Sequence, residues 1–300
     1  MPFTRRTILA GVGLAALGNR AAEAATENMM SELPFSGTTP ISISSVGLKA
    51  RDADNLAAYY KALLGFTEIS RSGGNITLGA HGRPLLTIES APSAKPDDPR
   101  AAGLFHNAFL LPSRADLGRW IRFAIENRIA VDGASDHLVS EALYLTDPEG
   151  NGIEIYADRP KGNWEWDGDQ VAMATKRLDI DGVIGSVPAG DAEWKGAAEN
   201  AITRHVHLRV GDPGEEERFW HDAFGFDTVA KYGPAAVFLS SGGYPHHIGA
   251  NVWQSAGAGQ RDADRSGLSW VELRSSDGKY AGETVDPWGT VIRTVEAAPA

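Results

Sequence analysis

The chain has 300 residues, 42% of them hydrophobic, and it contains no cysteine. Its net charge of -11 argues against binding to nucleic acid or to an anionic membrane surface, since both partners need a basic footprint. Without cysteine there are no disulfides and no thiolate metal sites, so any metal must be bound by His, Asp or Glu side chains.

The first 24 residues have the pattern of an export signal. Arg5 and Arg6 form a twin-arginine pair, which is followed by an apolar run over residues 8–17 and by a small-x-small cleavage site at residues 22–24. We therefore predict a twin-arginine signal peptide over residues 1–24 and a periplasmic mature protein.

An alternative start of translation changes this localisation. A chain that begins at Met29 or Met30 would lack the signal and would remain cytoplasmic. No other stretch is apolar over the roughly 20 residues that a membrane-spanning helix needs.

The remaining chain contains an internal repeat with an offset of 160 residues. Residues 46–52 recur as residues 206–212, and the Gly-Phe motif at residues 65–66 recurs at residues 225–226. Each copy predicts a short strand, an amphipathic helix that ends at Gly-Phe, and further strands.

A second pair of repeats shows that the unit occurs four times. Residues 103–106 recur at residues 267–270, and the Asp-Pro-x-Gly motif at residues 147–150 recurs at residues 286–289. The sequence therefore predicts an α+β fold of four βαβββ modules, which begin near residues 42, 103, 203 and 267. Module two carries a predicted helix over residues 115–127, whereas module four lacks about 25 residues, including its helix.

The end of module two is predicted to be a hairpin. Residues 139–145 and 153–156 read as strands, and residues 147–152 form the tight turn between them. Strand alternation puts Glu154 and Tyr156 on the face opposite the isoleucines that enter the core. Taken alone, this hairpin also fits a solvated surface glutamate.

Four such modules, together with two specific segments, resemble the vicinal oxygen chelate superfamily and its extradiol ring-cleaving branch, in particular the two-domain bacterial catechol 2,3-dioxygenases. The segments are residues 139–156 and Gly242-Gly243-Tyr244-Pro245-His246-His247-Ile248-Gly249-Ala250-Asn251. The resemblance covers residues 40–297 and implies modules that curl in pairs into two cup-shaped mixed sheets. We expect one domain at residues 40–160 (modules one and two), a connecting segment at residues 161–200, and a second domain at residues 201–297 (modules three and four).

The resemblance implies metal ligands on the first and last strands of a module. Modules two and three hold His106, Glu154, His205 and His247 at those positions, while modules one and four hold nothing stronger than Ser45. We therefore infer that modules two and three build one metal-binding cup, and that modules one and four form a metal-free cup.

The implied reaction is extradiol cleavage of a small aromatic diol by dioxygen. His106, His205 and Glu154 would bind Fe(II) as two histidines and one carboxylate, with Mn(II) or Zn(II) as alternative metals. His247 would act as the acid/base group, and His137 and Tyr144 match the histidine and tyrosine of the extradiol signature.

Two neighbouring histidines have weaker assignments. Strand alternation predicts that His246 points away from the site, as a structural residue or as one that supports the metal ligands, because it precedes His247 directly. His207 shares a strand face with His205, and it either lines the pocket or only fills it.

Two other functions remain open at this stage. The same scaffold supports glyoxalase-like lyases and isomerases, in which the four residues would all bind one Zn or Ni. A non-catalytic protein that binds an aromatic small molecule is the second alternative. His137 and Tyr144 favour the dioxygenase, because a lyase gives them no evident task. The shortened fourth module is also compatible with a homo-oligomer contact.

Overall fold

The structure is a computed structural model, and it describes residues 34–296 except 277, 279 and 281. The predicted signal peptide and the alternative starts at Met29 and Met30 lie outside the described residues. Among the described residues, no helix has the length and the apolar character needed to cross a membrane.

The first two modules have the predicted order of elements. Module one consists of β1 (Ile41–Ala50), α1 (Ala53–Leu64), β2 (Thr67–Ser72), β3 (Asn75–Ala80) and β4 (Arg83–Ser90). Module two consists of β5 (Gly103–Leu111), α2 (Arg114–Glu126), β6 (Gly133–Asp136), β7 (Ser140–Thr146) and β8 (Gly152–Asp158). The connecting segment contains β9 (Trp166–Asp167), β10 (Gln170–Val171), β11 (Lys176–Arg177) and α3 (Ile180–Gly185).

The last two modules differ in length, as predicted. Module three consists of β12 (Ile202–Arg209), α4 (Pro213–Phe224), β13 (Asp227–Lys231), β14 (Ala236–Ser240) and β15 (Ile248–Asn251). Module four consists of β16 (Gly267–Ser275), β17 (Gly282–Val285) and β18 (Val291–Glu296), with no helix among its described residues. Short 3₁₀ turns lie at Phe35–Gly37 and Lys161–Asn163. The predicted α+β fold of four modules with a truncated fourth is confirmed.

The strands form two large mixed sheets that pair the modules across the chain. One sheet has the order β17-β18-β16-β1-β4-β3-β2, which combines modules four and one. The other has the order β11-β6-β7-β8-β5-β12-β15-β14-β13, which combines modules two and three. The inferred pairing is confirmed. Each sheet thus takes one module from each half of the chain, so the sheets do not coincide with the two predicted domains, whose boundaries stay a prediction.

The repeated motifs cap the two ends of equivalent helices. Asp52 caps α1 by accepting a hydrogen bond from a backbone N–H, and Asp212 caps α4 in the same way. Both helices end at a glycine in the left-handed conformation, Gly65 with φ 69° and Gly225 with φ 66°. The repeat at an offset of 160 residues therefore corresponds to two copies of the same capped helix.

The Asp-Pro-x-Gly motif is a turn held by its aspartate. Asp147 Oδ1 accepts hydrogen bonds from the backbone N–H groups of Glu149 and Asn151, each at 2.9 Å. In module four, Asp286 accepts from two backbone N–H groups in the same register. Asp147 also accepts a hydrogen bond from the hydroxyl of Tyr60 on α1, which connects module one to the hairpin.

The main hydrophobic core includes residues of both sheets and of helices α1, α2 and α4. Trp120 on α2 is fully buried there and donates a hydrogen bond to the carbonyl of Leu63 on α1. On β8, Ile153 and Ile155 pack in this core, so alternation turns Glu154 to the opposite face of the nine-stranded sheet.

In the seven-stranded sheet, the side chains at positions that correspond to metal ligands are engaged in other contacts. The indole of Trp270 donates a hydrogen bond to Glu89, and the guanidinium of Arg293 stacks 4.6 Å from the centre of the same indole. Ser45 donates to Glu272. These contacts give each of the three residues a structural role within the cup of modules one and four.

The connecting segment belongs to the nine-stranded sheet. Strand β11 pairs with β6 and so extends the edge of the sheet. Trp164 is buried and donates its indole N–H to the carbonyl of Val139. Other parts of the segment contact module one, where the N–H of Ala197 donates to the carbonyl of Leu64, and module three, where Gln170 donates to the carbonyl of Thr228.

Candidate metal centre and active site

Three adjacent strands of the nine-stranded sheet bring three predicted ligands together. His106 lies on β5, Glu154 on β8 and His205 on β12, and these strands are neighbours in the order β8-β5-β12. Oε2 of Glu154 is 2.9 Å from Nε2 of His106 and 2.8 Å from Nε2 of His205. The two Nε2 atoms are 3.3 Å apart. All three side chains are buried.

The spacing of these atoms fits one face of a metal coordination shell. Metal–ligand bonds of about 2.0–2.2 Å at right angles place neighbouring donor atoms about 3.0 Å apart, whereas tetrahedral angles place them about 3.4 Å apart. The observed distances of 2.8–3.3 Å are compatible with one ion that contacts all three atoms. Two histidines and a carboxylate in this arrangement leave open positions opposite them, as in non-haem Fe(II) oxygenases.

The electrostatics of the cluster favour the ligating forms of Glu154 and His205. Burial opposes the ionisation of Glu154, but attraction to His205 and His106, with hydrogen bonds from both, holds its pKa well below its ordinary value. Burial lowers the pKa of His205 despite the nearby carboxylate. A carboxylate beside a neutral imidazole is the state in which both bind a metal ion.

His205 is oriented by a chain of hydroxyl groups. Its Nδ1 lies 3.2 Å from the hydroxyl of Tyr156, which lies 2.9 Å from the hydroxyl of Tyr244. Tyr244 in turn donates to Oδ1 of Asp158 at 3.0 Å. If Nε2 faces the metal, Nδ1 carries the proton, and every hydroxyl in the chain then donates toward Asp158. Burial raises the pKa of Asp158 to about 7.

His137 and Tyr144 lie together beside Glu154. The Nε2 atom of His137 is 2.6 Å from the hydroxyl of Tyr144, and its Nδ1 is 2.7 Å from the carbonyl of Ala174. The hydroxyl of Tyr144 is also 3.3 Å from Oε1 of Glu154. Because Ala174 can only accept, it fixes the His137 tautomer with a proton on Nδ1. Burial raises the pKa of Tyr144 well above its ordinary value, so its hydroxyl keeps its proton.

The prediction that His247 faces the site is wrong. Its Nε2 lies 3.2 Å from the hydroxyl of Thr39, and its Nδ1 accepts a hydrogen bond from the backbone N–H of Ser241. Its neighbour His246 lines the cavity instead. Strand alternation predicted that His247, and not His246, faces the site. Both histidines precede β15, which begins only at Ile248, so the two-residue period of a strand does not apply to them.

His246 contributes an imidazole to the cavity wall. Its ring centre lies 4.2 Å from that of His205, and its Nδ1 is buried without a hydrogen-bond partner. Burial is the main cause that holds the pKa of His246 well below its ordinary value, and the nearby His205 lowers it further. The imidazole is thus neutral.

A cavity of about 450 Å³ opens beside the three-residue cluster. Its wall includes five of the residues already described, namely His106, Glu154, Tyr144, His137 and His246. His207 also lines it, which resolves the two alternatives for this residue. The remaining wall is largely apolar and aromatic, so the cavity suits an aromatic ring.

Two lining residues come from a part of the chain that carried no functional signal. Met173 and Thr175 reach the cavity from the connecting segment, just before β11. Residues 161–200 lack the periodicity of the modules. Their place at the site depends on the pairing of β11 with β6, which no local pattern predicts.

Comparison with known proteins gives the family. Residues 42–155 match the family model of the Glyoxalase/Bleomycin resistance protein/Dioxygenase superfamily. The chain is 38% identical over 253 residues to a catechol-2,3-dioxygenase of Bacillus subtilis (strain 168), which covers 80% of this chain and 88% of that protein. The chain belongs to this superfamily, the vicinal oxygen chelate proteins, as its four βαβββ modules indicate.

Solved structures support the same fold. A crystal structure from Bacillus subtilis subsp. subtilis str. 168 aligns with a TM-score of 0.55 at 12% identity, over 87% of this chain and 86% of that one. Glyoxalase I from Zea mays aligns with a TM-score of 0.52 at 12% identity, over 87% of this chain and 94% of that one. At this level of identity the likeness concerns the fold alone.

Proposed function

We propose that this protein is an extradiol dioxygenase, which opens the ring of a catechol-type aromatic by inserting dioxygen at a non-haem Fe(II). The single observation that carries the proposal is the facial cluster of His106, Glu154 and His205, of which His106 and Glu154 line an aromatic cavity. The 38% identity to a protein named catechol-2,3-dioxygenase supports the same reaction.

Fe(II) bound by this cluster would supply open coordination positions for the two oxygens of the diol and for dioxygen. Mn(II) and Zn(II) are the alternative metals, and the donor atoms fit them as well. The protein's own part is to hold three ligands on one side, to keep the other side open, and to surround the ring with apolar side chains that exclude water.

We assign proton transfer to His246. A catechol must lose protons in order to chelate a metal, and His246 places a neutral imidazole in the cavity wall beside His205. The hydroxyl of Tyr144 donates its proton to Nε2 of His137, so its oxygen can accept a hydrogen bond from a hydroxyl of the bound diol. This assignment replaces His247, whose two ring nitrogens are engaged elsewhere.

The glyoxalase-like alternative required His247 as a fourth ligand. In the described part of the chain, the group of residues that could bind a metal contains three members, and His247 is not one of them. The non-catalytic alternative has no use for ligand atoms that converge within 3.3 Å. Both alternatives are therefore less well supported than the dioxygenase.

The test begins with purified protein loaded with Fe(II) in the absence of oxygen. On addition of catechol and air, we expect a yellow ring-cleaved product and one O₂ consumed per catechol. Glu154→Gln should lose both bound iron and turnover. Glu89→Gln is the matched control, since Glu89 lies in the other sheet and bonds Trp270. No oxygen uptake with any catechol, or full iron retention by Glu154→Gln, would contradict the proposal.

We also propose that the protein is exported by the twin-arginine route. The support is the Arg5-Arg6 pair with its apolar run and cleavage site. Cell fractionation should place the mature protein in the periplasm, with Ala25 as its first residue. A cytoplasmic protein that begins at Met29 or Met30 would contradict this.

A further inference from the structure

We propose that the substrate is a catechol with a bulky, uncharged, apolar substituent of about the size of a second ring, seated against Phe105 and Trp253. This inference deepens the proposed function and rests on it. The size of the cavity and its aromatic wall point to this substrate class, and its charged residues argue against an anionic substituent.

The cavity is larger than an unsubstituted catechol needs. A cavity of about 150 Å³ binds benzene, and a water-sized ligand takes about 30 Å³. One catechol ring and three small ligands of a metal ion therefore need roughly 240 Å³. The cavity of about 450 Å³ leaves nearly half of its volume free, which is room for another ring.

An aromatic wall adjoins the metal ligands on one side. The ring centre of Phe105 lies 5.4 Å from that of His106 and 5.0 Å from that of Trp253. His207 completes the wall, with its ring centre 5.2 Å from Phe105 and 5.4 Å from Trp253. A ring that chelates the metal beside His106 would therefore direct a substituent along Phe105 toward Trp253.

The side chain of Trp253 is unusually exposed for a residue in the wall of a cavity. It is 48% exposed although it lines the cavity and contacts two other rings. Its backbone N–H donates to the side chain of Asn251 at 3.1 Å, so its position just after β15 is fixed. A large apolar face held at a cavity mouth is a surface that an apolar ligand group would cover.

The charged residues of the wall exclude an anionic substituent. Arg209 lines the cavity, but its guanidinium is paired with Asp97 and donates to the carbonyl of Ala101. Asp132 contributes a carboxylate to the wall and accepts a hydrogen bond from Thr146. Among the described lining residues outside the metal cluster, the cationic side chain of Arg209 is thus already paired. A carboxylate on the substrate would face the like charge of Asp132.

The experiment compares substrates on the Fe(II)-loaded full protein. The probes are catechol, 3-phenylcatechol, 4-phenylcatechol, 3,4-dihydroxybenzoate and 4-(2-aminoethyl)catechol. We expect one of the phenylcatechols to have at least about tenfold higher kcat/KM than catechol, in line with the apolar area that a ring buries. Anaerobic calorimetry, which measures binding without turnover, should give a Kd that is lower by a similar factor.

The outcomes separate this inference from the proposed function. If no catechol is cleaved, the proposed function fails. If catechol is cleaved but neither phenylcatechol is preferred, the function stands and the inference is overturned. A preference for the carboxylate or the amine over both phenylcatechols also overturns it, because the substituent would then be recognised by charge.

Variants test the position of the substituent. Trp253→Ala should lower the ratio of kcat/KM for the preferred phenylcatechol to that for catechol by about tenfold, and Trp253→Phe should restore most of it. Trp166→Ala is the matched control, since Trp166 is 38% exposed and lies outside the cavity wall. An unchanged ratio in Trp253→Ala, or an equal fall in Trp166→Ala, overturns the placement against Trp253.

Discussion

Replacing Tyr156 by Phe removes the hydroxyl that connects His205 to the buried chain ending at Asp158. His205 Nδ1 lies 3.2 Å from this hydroxyl, so the substitution leaves the imidazole N–H without its acceptor. Removal of a group that orients a metal-binding histidine typically lowers metal affinity about 10- to 100-fold, which is about 1.4–2.8 kcal/mol. The substitution leaves the volume of the ring unchanged, so the effect reports the hydrogen bond.

The affinity is measured by competition of the apoprotein with a chromophoric chelator for Fe(II) or Zn(II), without oxygen. The matched control is Tyr60→Phe, which removes a buried hydroxyl that donates to Asp147 at 3.1 Å, outside the cavity wall. Both variants should lose stability, Tyr60→Phe by about 1 kcal/mol because it loses one buried hydrogen bond and Tyr156→Phe by about 2 kcal/mol because it loses two. Only Tyr156→Phe should lose metal affinity. Equal metal affinities of the two variants would refute the proposed role of Tyr156.

Three further predictions concern other parts of the structure. His246→Ala should retain metal and slow turnover by about 100-fold in an activity assay. His247→Ala should instead lower the free energy of unfolding by about 2 kcal/mol in urea. Reversed effects would contradict the assignment of His246 to the cavity and of His247 to a structural role. Gly47→Ala should destabilise the protein by about 1–3 kcal/mol, because its Cβ would lie 2.3 Å from the indole of Trp270; a wild-type urea midpoint would contradict this. Asp158 has a pKa of about 7 in the folded protein, above its value in the unfolded chain. The folded state therefore binds more protons at this site, and the contribution of Asp158 to the free energy of unfolding falls as pH rises from about 4 to 7. The stability of wild type relative to Asp158→Asn should therefore decline over that range, and a rising difference would contradict the assignment.

The position of Glu154 could be predicted from local pattern. The isoleucines on either side of it mark the core face of a strand, and the Asp-Pro-x-Gly turn sets where that strand begins. The structure places Glu154 on the opposite face, as expected. His106 and His205 could be found because the modules repeat, so that equivalent strand positions can be compared along the chain.

The order of His246 and His247 could not be predicted in the same way. The strand period is reliable only within a strand, and both residues lie in the irregular segment that precedes β15. Gly242 and Gly243 in that segment have φ values of 70° and 73°, so the chain direction there depends on turn geometry. Which histidine enters the cavity is decided by packing against Thr39 and Ser241.

The sequence by itself determined the four modules, the caps of their helices and the strand faces of the three clustered residues, because these depend on periodicity and on local turn chemistry. The tertiary structure decided which histidine beside β15 faces the cavity, how the connecting segment contributes Met173 and Thr175, and how large the cavity is. These features depend on contacts between residues far apart in the chain, and no local pattern records such contacts.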